Sequence, residues 1–289
     1  MKYSIADVTL EVEGAETKLI TERLYKYSCL SKSESLPDIS VSYYENDKIE
    51  ICEDSGLLPD KVSGWKWKLD GETVTAYDVK RTYDFVLSSV MLNYKNKRAV
   101  IQVHDTCPFS GVKAEQVFFN LIGYAFALLM PQYNGIVFHS SAFSYKGNGI
   151  LISAPSGTGK STHTSLWKKQ YGDDVVIFND DSPVIRSTED GLFAYGTPWS
   201  GKTAINEPLK VPLKAIVCIR QGAINSIKRL DVKTAFFCLF NETFKIPDKD
   251  NLDKIMDVLN SIITHIPVYE LECTISKEAV ELLKNELNL

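Results

Sequence analysis

The feature that most constrains this 289-residue chain is a glycine-containing segment between an apolar run and a polar, helix-forming run. The apolar run is Ile150–Ser153, and the letters SAPSGTGKST follow from Ser153 to Thr162. A strand that ends in a glycine turn and opens a helix leaves unpaired N–H groups at the positive end of the helix dipole. The segment therefore predicts an anion site on an α/β fold.

The residue types in this segment indicate that the anion is a nucleotide phosphate. Gly157 and Gly159 can adopt the angles of a tight turn and leave no side chain in the way of phosphate oxygens. Lys160 supplies a positive charge for the β and γ phosphates, and the Ser161 hydroxyl is suited to Mg²⁺. The usual pattern GxxxxGK[ST] has glycine where this chain has Ala154, and a serine-glycine turn with a surface lysine is the alternative. The predicted phosphate-binding residues are Ser156, Gly157, Thr158, Gly159, Lys160, Ser161 and Thr162.

A pair of carboxylates follows the next apolar run. Val175–Phe178 precedes Asn179, Asp180 and Asp181. Phosphoryl transfer needs carboxylates to hold the metal and to accept the proton of the attacking hydroxyl. Adjacent side chains on an extended segment point to opposite faces, so the two aspartates can have different roles. We expect Asp180 to bind Mg²⁺ with Ser161, and Asp181, or less favourably Asp180, to act as the base; a solvated turn is the alternative.

The second half of the chain alternates strand and helix patterns. Strand, loop, helix and strand around the glycine segment form a βαβ-like unit, which favours an α/β core. The other predicted elements there are an apolar helix Val117–Met130, a run Gly135–His139, a hairpin turn Tyr145–Gly149, helices Lys160–Tyr171 and Leu252–Ile263, a strand Pro267–Cys273, and a last helix capped by Ser276.

The first half carries short β-type runs separated by turn signals. Asp70-Gly71 stands between two of them as in a β-hairpin, and a helix is predicted at Arg81–Tyr94. We expect an α+β domain rich in antiparallel strands at residues 1–110, serving as a scaffold or docking domain, and an α/β domain at 111–289. The predicted strands are Tyr3–Val12, Ile39–Tyr44, Ile49–Cys52, Trp65–Leu69, Thr73–Ala76 and Ala99–His104.

Charge and cysteine usage exclude several classes of protein. A net charge of −5 disfavours a general binder of nucleic acid or of membrane surfaces, because both partners are anionic. Val117–Met130 is shorter than the ~18–20 apolar residues that a bilayer requires. The six cysteines form no CxxC pair and the N-terminus alternates like a strand, so reduced thiols in a cytoplasmic protein are expected. The oligomeric state, including a homo-oligomer, stays open.

These residues resemble a known family. The letters SGTGKST at 156–162, with an aspartate pair after the next strand, resemble the catalytic domain of HPr kinase/phosphorylase, whose P-loop is related to that of phosphoenolpyruvate carboxykinase. His139 stands 15 residues before Ala154, as the family's histidine precedes its loop. The resemblance implies a P-loop kinase domain that uses ATP and Mg²⁺, with His139 near the phosphates and the catalytic aspartate. A purely structural histidine is the alternative.

Outside this core the chain differs from HPr kinase. Its N-terminal half is unlike that family's, and GTPWSGK at 196–202 replaces the expected docking segment. The chain is more similar to HPr-kinase-like proteins of bacterial gene clusters, some of which modify ribosomally made peptides. This resemblance implies ATP-dependent phosphorylation of a serine or threonine in a peptide or protein.

The GTPWSGK segment is also the predicted second wall of the site. Trp199 would stack on a base or a substrate side chain, and Lys202 would reach the transferring phosphate; a buried tryptophan in an ordinary turn is the alternative. Alternative functions are a small-molecule kinase and a non-enzymatic ATP-binding sensor. A carboxykinase is disfavoured because the chain is short and lacks that family's additional metal-ligand motifs.

Overall fold

The structure is a computed structural model that describes residues 1–14, 17–29, 36–51, 58–59, 65–78, 86–104, 114–201, 203–246 and 248–289. The chain divides into two compact units, Met1–Leu129 and Met130–Leu289. The boundary predicted at 110/111 lies outside the described residues. In the structure the apolar helix belongs to the first unit.

The first unit is built on an eight-stranded sheet. Its strand order is β1-β2-β3-β8-β7-β6-β5-β4, and neighbours are antiparallel except that β3 runs parallel to β2 and to β8. Two helices accompany the sheet: α1 (Lys18–Leu24) and α2 (Ala114–Leu129). The strands are β1 (Lys2–Ile5), β2 (Val8–Glu13), β3 (Ile39–Asn46), β4 (Leu58–Pro59), β5 (Trp65–Asp70), β6 (Thr73–Asp78), β7 (Ser88–Asn93) and β8 (Arg98–His104).

The predicted strands of the first unit are confirmed in part. The Asp70-Gly71 hairpin is present, with Asp70 opposite Thr73 across β5 and β6. The run Tyr3–Val12 is two strands, because Ala6 and Asp7 both have positive φ and form a turn. The described part of Ile49–Cys52, residues 49–51, is not in a strand.

The helix predicted at Arg81–Tyr94 is wrong over its described part. Residues 88–93 form β7, which lies between β6 and β8. Residues 86–90 are buried without alternation, so neither strand periodicity nor a polar face marks the segment in the sequence. Pairing on both sides outweighs local propensity here.

The second unit is a mixed α/β fold. A nine-stranded sheet runs in the order β12-β10-β11-β15-β14-β13-β9, and β17 pairs with both β15 and β16. The elements are β9 (Gly135–Val137), β10 (Ser140–Tyr145), β11 (Asn148–Ser153), α3 (Lys160–Tyr171), β12 (Val175–Asn179), β13 (Val184–Thr188), β14 (Gly191–Tyr195), β15 (Lys210–Gln221), β16 (Ser226–Arg229), α4 (Val232–Glu242), α5 (Lys249–His265), β17 (Val268–Cys273) and α6 (Lys277–Glu286).

The strands around the glycine segment have the predicted βαβ-like order with one insertion. Helix α3 connects β11 to β12, and β10 lies between these two strands, antiparallel to both. On its other side β11 is parallel to β15, which is parallel to β17. The carboxyl ends of β11, β12, β15 and β17 therefore meet at one edge of the sheet.

Two hydrophobic clusters cover the two faces of this sheet. Alternate residues of β11 face them: Leu151 lies in one cluster, and Ile150 and Ile152 lie in the other. Helices α4 and α5 pack on the Leu151 face, whereas α3 and α6 pack on the opposite face. The helix predictions for this unit are confirmed, including the Ser276 cap, which accepts from the Ala279 N–H. Among the described residues, no helix combines the length and apolar character needed to cross a membrane.

The expectation of reduced cysteines is wrong for one pair. Cys218 of β15 is joined to Cys238 of α4 in a disulfide, 20 residues apart in the sequence. Their spacing carries no signal, because the packing of α4 on the sheet is what brings a strand residue and a helix residue together. Cys29 and Cys273 are free thiols, and Cys52 and Cys107 lie outside the described residues.

Candidate functional site

The glycine segment forms an open turn between β11 and α3, which we call the phosphate loop (residues 154–162). Gly157 and Gly159 have φ of 81° and 118°, in the left-handed region that glycine tolerates. A Cβ atom added at either glycine would have no protein atom within 4 Å. Gly159 caps α3, and its carbonyl accepts the His163 N–H at 2.9 Å. The loop therefore presents accessible backbone at a helix N-terminus.

Lys160 is buried beneath this loop. Its ammonium donates to the Ala154 carbonyl oxygen at 2.8 Å, so position 154 contributes through its backbone and alanine serves there as well as glycine. Burial lowers the pKa of Lys160, whereas the charges of Glu242, Asp181 and Asp180 act in the opposite direction. The lysine is thus the cation of an otherwise acidic group of side chains.

Asp180 is a buried carboxylate with both oxygens engaged. Its Oδ1 accepts from the Ser141 hydroxyl at 3.0 Å, and its Oδ2 accepts from the Thr203 hydroxyl at 2.7 Å. The Ser141 hydroxyl also lies 2.9 Å from the Thr164 hydroxyl of α3. Hydrogen bonds therefore connect Asp180 to the helix that the phosphate loop opens.

Asp181 is more exposed and lies beside His139. Its side chain is 44% exposed, and its Oδ1 lies 3.8 Å from the His139 Nε2. Its other oxygen accepts from the Ser182 hydroxyl at 2.7 Å. Gly201 stands close by, because a Cβ added there would lie 3.3 Å from the Asp181 Cβ. The two aspartates thus occupy different environments, one enclosed and one open.

Glu242, the last residue of α4, holds His139 from the other side. The His139 Nδ1 lies 2.6 Å from the Glu242 Oε2. In addition, the backbone N–H of His139 donates to the backbone carbonyl oxygen of Glu242 at 2.9 Å. A carboxylate can only accept, so Nδ1 carries the proton in this pair and Nε2 is directed to Asp181. His139 therefore joins two acidic side chains.

The sequence did not predict Glu242. It lies 103 residues after His139, and only the packing of α4 on the sheet makes them neighbours. No local spacing marks it. The one available signal was an acidic residue at the C-terminal end of a helix. A negative charge there interacts unfavourably with the helix dipole, so its presence suggests a role other than helix stability.

Asn179 is a second residue that the sequence did not single out. Its buried amide Nδ2 donates to the carbonyl oxygens of Thr197 and Trp199 at 3.0 and 3.2 Å. Its Oδ1 accepts the N–H groups of Asp181 and Ser182 at 2.9 and 2.7 Å. This one amide therefore fixes the aspartate pair relative to the segment 197–199.

The predicted second wall is partly described. The Trp199 side chain is half-buried, and Lys202 lies outside the described residues. Gly196 is required by packing, since a Cβ there would lie 1.9 Å from the Glu207 carbonyl oxygen. Asn179 holds this turn next to the aspartates, and the Thr197 hydroxyl contributes by donating to the Ser182 carbonyl oxygen at 2.8 Å.

The structure brings the predicted catalytic residues together at one sheet edge. Asp181 lies beside His139, and the charges of Asp180 and Asp181 act on Lys160. Ser161 and Thr162 lie in the first turn of α3. The predicted metal ligands, Ser161 and Asp180, offer oxygen atoms, the donor type that Mg²⁺ prefers. Mg²⁺ commonly takes one or two carboxylates and completes its shell with phosphate and water, so these side chains fit the ion.

Comparison with known proteins gives no assignment. No protein-family model matches the chain, and no curated protein matches its sequence.

Proposed function

We propose that this chain is an ATP-dependent phosphotransferase that moves the γ-phosphoryl group to a hydroxyl. The observation that carries the proposal is the convergence of a glycine loop, its lysine, two aspartates in different environments and a histidine at one sheet edge. We further propose a domain of the HPr-kinase-like type, on the resemblance of residues 135–185, acting in the cytoplasm.

The phosphate loop and Lys160 would bind the triphosphate. Backbone N–H groups at a helix N-terminus favour anions, and the open space before Gly157 and Gly159 supports such binding. The buried ammonium of Lys160 would offset charge that develops on the transferring group.

Asp180 and Ser161 would hold Mg²⁺. The ion, when bound, would neutralise phosphate charge and orient the β and γ oxygens. The Ser141 and Thr203 hydroxyls fix both oxygens of Asp180, which supports a positioning role for this enclosed carboxylate.

Asp181 would act as the general base. In the proposed reaction the acceptor oxygen bonds to the γ-phosphorus and the bond from that phosphorus to the β–γ bridging oxygen breaks. ADP leaves, and the acceptor proton passes to the Asp181 carboxylate. Its exposure supports this role, because an acceptor hydroxyl must reach the base directly. His139, held by Glu242, would carry positive charge beside Asp181 and the phosphates when its Nε2 is protonated.

The proposed acceptor is a serine or threonine of a peptide or protein. This part of the proposal rests on the family resemblance and on the GTPWSGK segment. Asn179 bonds to the backbone of both Trp199 and Asp181 and so holds this segment next to Asp181. Trp199 and Lys202 would contact the acceptor.

Replacing Asp181 by Asn tests the proposal. With γ-labelled ATP and a host lysate as the source of acceptor, transfer should fall about 10²–10⁴-fold, the usual contribution of a general base. ATP affinity, measured by calorimetry, should be unchanged because Asp181 is not a proposed phosphate or metal ligand.

Two matched variants complete the test. Asp173→Asn, an exposed aspartate of the turn after α3, should leave both quantities unchanged. Asp180→Asn should weaken both Mg²⁺-ATP binding and transfer. Wild-type protein that binds ATP and labels neither protein nor small molecule would identify a sensor instead, and full transfer by Asp181→Asn would overturn the base assignment.

A further inference from the structure

A cavity of about 420 Å³ borders the phosphate loop on the side away from the aspartates. Residues 157–159 of the loop form part of its wall, and α3, the end of β15 and the segment after β17 form the rest. Site volumes for small molecules are commonly about 300–1,000 Å³, so this cavity is large enough for a compact organic group. None of the proposed catalytic side chains lines it.

The sheet order places this cavity on a definite side of the loop. From β11, the strands β10 and β12 lead to Asp180 and Asp181, whereas β15 and β17 lead to the cavity. A triphosphate bound along the loop with its γ-phosphate at Asp181 would direct its other end to the cavity. We call the two sides the aspartate flank (β10 and β12) and the cavity flank (β15 and β17).

The cavity wall combines apolar and polar side chains. Ile219 and Leu166 provide apolar surface, and the Gln221 amide donates to the Thr158 carbonyl at 3.2 Å, bridging β15 to the loop. Ile275 is 80% exposed at the edge. A wall that combines apolar surface with hydrogen-bonding groups suits a flat, partly polar ligand such as a nucleoside base.

His163 is the polar side chain in this wall that lacks a partner. It is 3% exposed, it lines the cavity, and neither ring nitrogen has a hydrogen-bond partner among the described residues. Buried polar groups are nearly always hydrogen-bonded in folded proteins, because an unsatisfied one loses its hydration without compensation. A ligand in the cavity that offers a donor or an acceptor would satisfy it once the ring turns a nitrogen towards the cavity.

We propose that this cavity binds the nucleoside part of the triphosphate, with the base against the apolar wall and hydrogen-bonded to a ring nitrogen of His163. The inference rests on the proposed function and extends it, since it assigns the residues that recognise the nucleoside. It implies that the protein distinguishes ATP from a bare phosphate chain.

The test compares the affinities of ATP and of inorganic tripolyphosphate by calorimetry, each with Mg²⁺. Wild-type protein should bind ATP more tightly than tripolyphosphate. His163→Leu should weaken ATP binding about tenfold, as the loss of one buried hydrogen bond does, and leave tripolyphosphate binding unchanged.

A second pair of variants avoids the buried position. Ile275→Trp at the cavity edge should weaken ATP binding and spare tripolyphosphate, whereas Ile224→Trp, similarly exposed and outside the cavity wall, should change neither. Equal wild-type affinities for the two ligands, or ATP affinity unchanged by both His163→Leu and Ile275→Trp, would overturn the nucleoside site and leave the proposed function standing. Wild-type protein that binds neither ligand would overturn both.

Discussion

On the aspartate flank of the phosphate loop, buried hydroxyls and carboxylates form hydrogen bonds with one another. On the cavity flank, a buried histidine has no hydrogen-bond partner among the described residues. Each carboxylate oxygen of Asp180 accepts a hydrogen bond from a hydroxyl, and the Nδ1 atom of His139 is hydrogen-bonded to Glu242. His163, in the first turn of the helix that opens between the flanks, has none. A satisfied network holds its groups in place before a substrate arrives, whereas an unsatisfied group is stabilised only when a ligand arrives. The difference is consistent with the proposal that one flank carries out the reaction and the other recognises the nucleoside.

Among the variants that test this comparison, the largest effect is expected at Lys160, on the helix between the two flanks. Lys160→Ala should reduce phosphoryl transfer by about 10²–10³-fold, because a buried cation facing developing charge is lost. ATP and tripolyphosphate binding should weaken together, since the proposed contact of the lysine is with phosphate and not with the nucleoside. Calorimetry measures the two binding affinities, and the labelled-ATP assay measures phosphoryl transfer.

Lys169→Ala is the matched control, an exposed lysine on the same helix. It should behave as wild type. A Lys160→Ala protein that lost affinity for ATP alone would contradict the division between the flanks.

A smaller effect should be confined to the aspartate flank. Glu242→Gln should lower kcat by about 10–100-fold, the usual consequence of removing the partner that orients a histidine. The KM for ATP should stay the same.

Glu189→Gln changes an exposed glutamate between β13 and β14 and serves as the control. A purely structural role for Glu242 would lower stability and leave the kcat of the folded protein unchanged. That outcome would remove His139 from the proposed chemistry.

The smallest effect belongs to the cavity flank and concerns stability. Burial lowers the pKa of His163 from 6.5 to about 4, so between these values the unfolded chain binds a proton that the folded chain does not. The free energy of unfolding is therefore not reduced by His163 above about pH 6.5, and it falls as the pH drops towards 4. Between pH 7 and pH 5 the expected decrease is about 2 kcal/mol.

Urea unfolding at pH 7 and pH 5 measures this dependence. His163→Leu should lose less stability than wild type over that interval, by roughly the same 2 kcal/mol. An identical loss in both proteins would show that His163 is able to take up a proton in the folded state.

Local patterns predicted the elements around the phosphate loop and the last two helices, but not strands β13 to β16 or helix α4. The glycine segment, the helix after it, the aspartate pair and the Ser276 cap each depend on residues within a few positions of one another, and each is present in the structure. The boundaries of α3 match the prediction because a glycine turn marks its start and Gly172 its end.

Contacts between distant segments could not be predicted. Glu242 with His139, Cys218 with Cys238 and Asn179 with Thr197 all depend on how helices and turns pack on the sheet. In the first unit, residues 86–90 are buried without alternation, so the sequence around the start of β7 favoured a helix. The cavity also left no sequence signal, since its walls come from three separated segments.

The amide of Asn179 gives this arrangement a pattern by which it can be searched. Its nitrogen faces carbonyl oxygens and its oxygen faces N–H groups, so an aspartate there would turn a negative charge towards two acceptors. The letters NDDS at 179–182 and GTPW at 196–199 therefore form one combined sequence motif. A glycine loop alone would retrieve many nucleotide-binding proteins, whereas the loop with both of these strings would select chains that build the same aspartate flank.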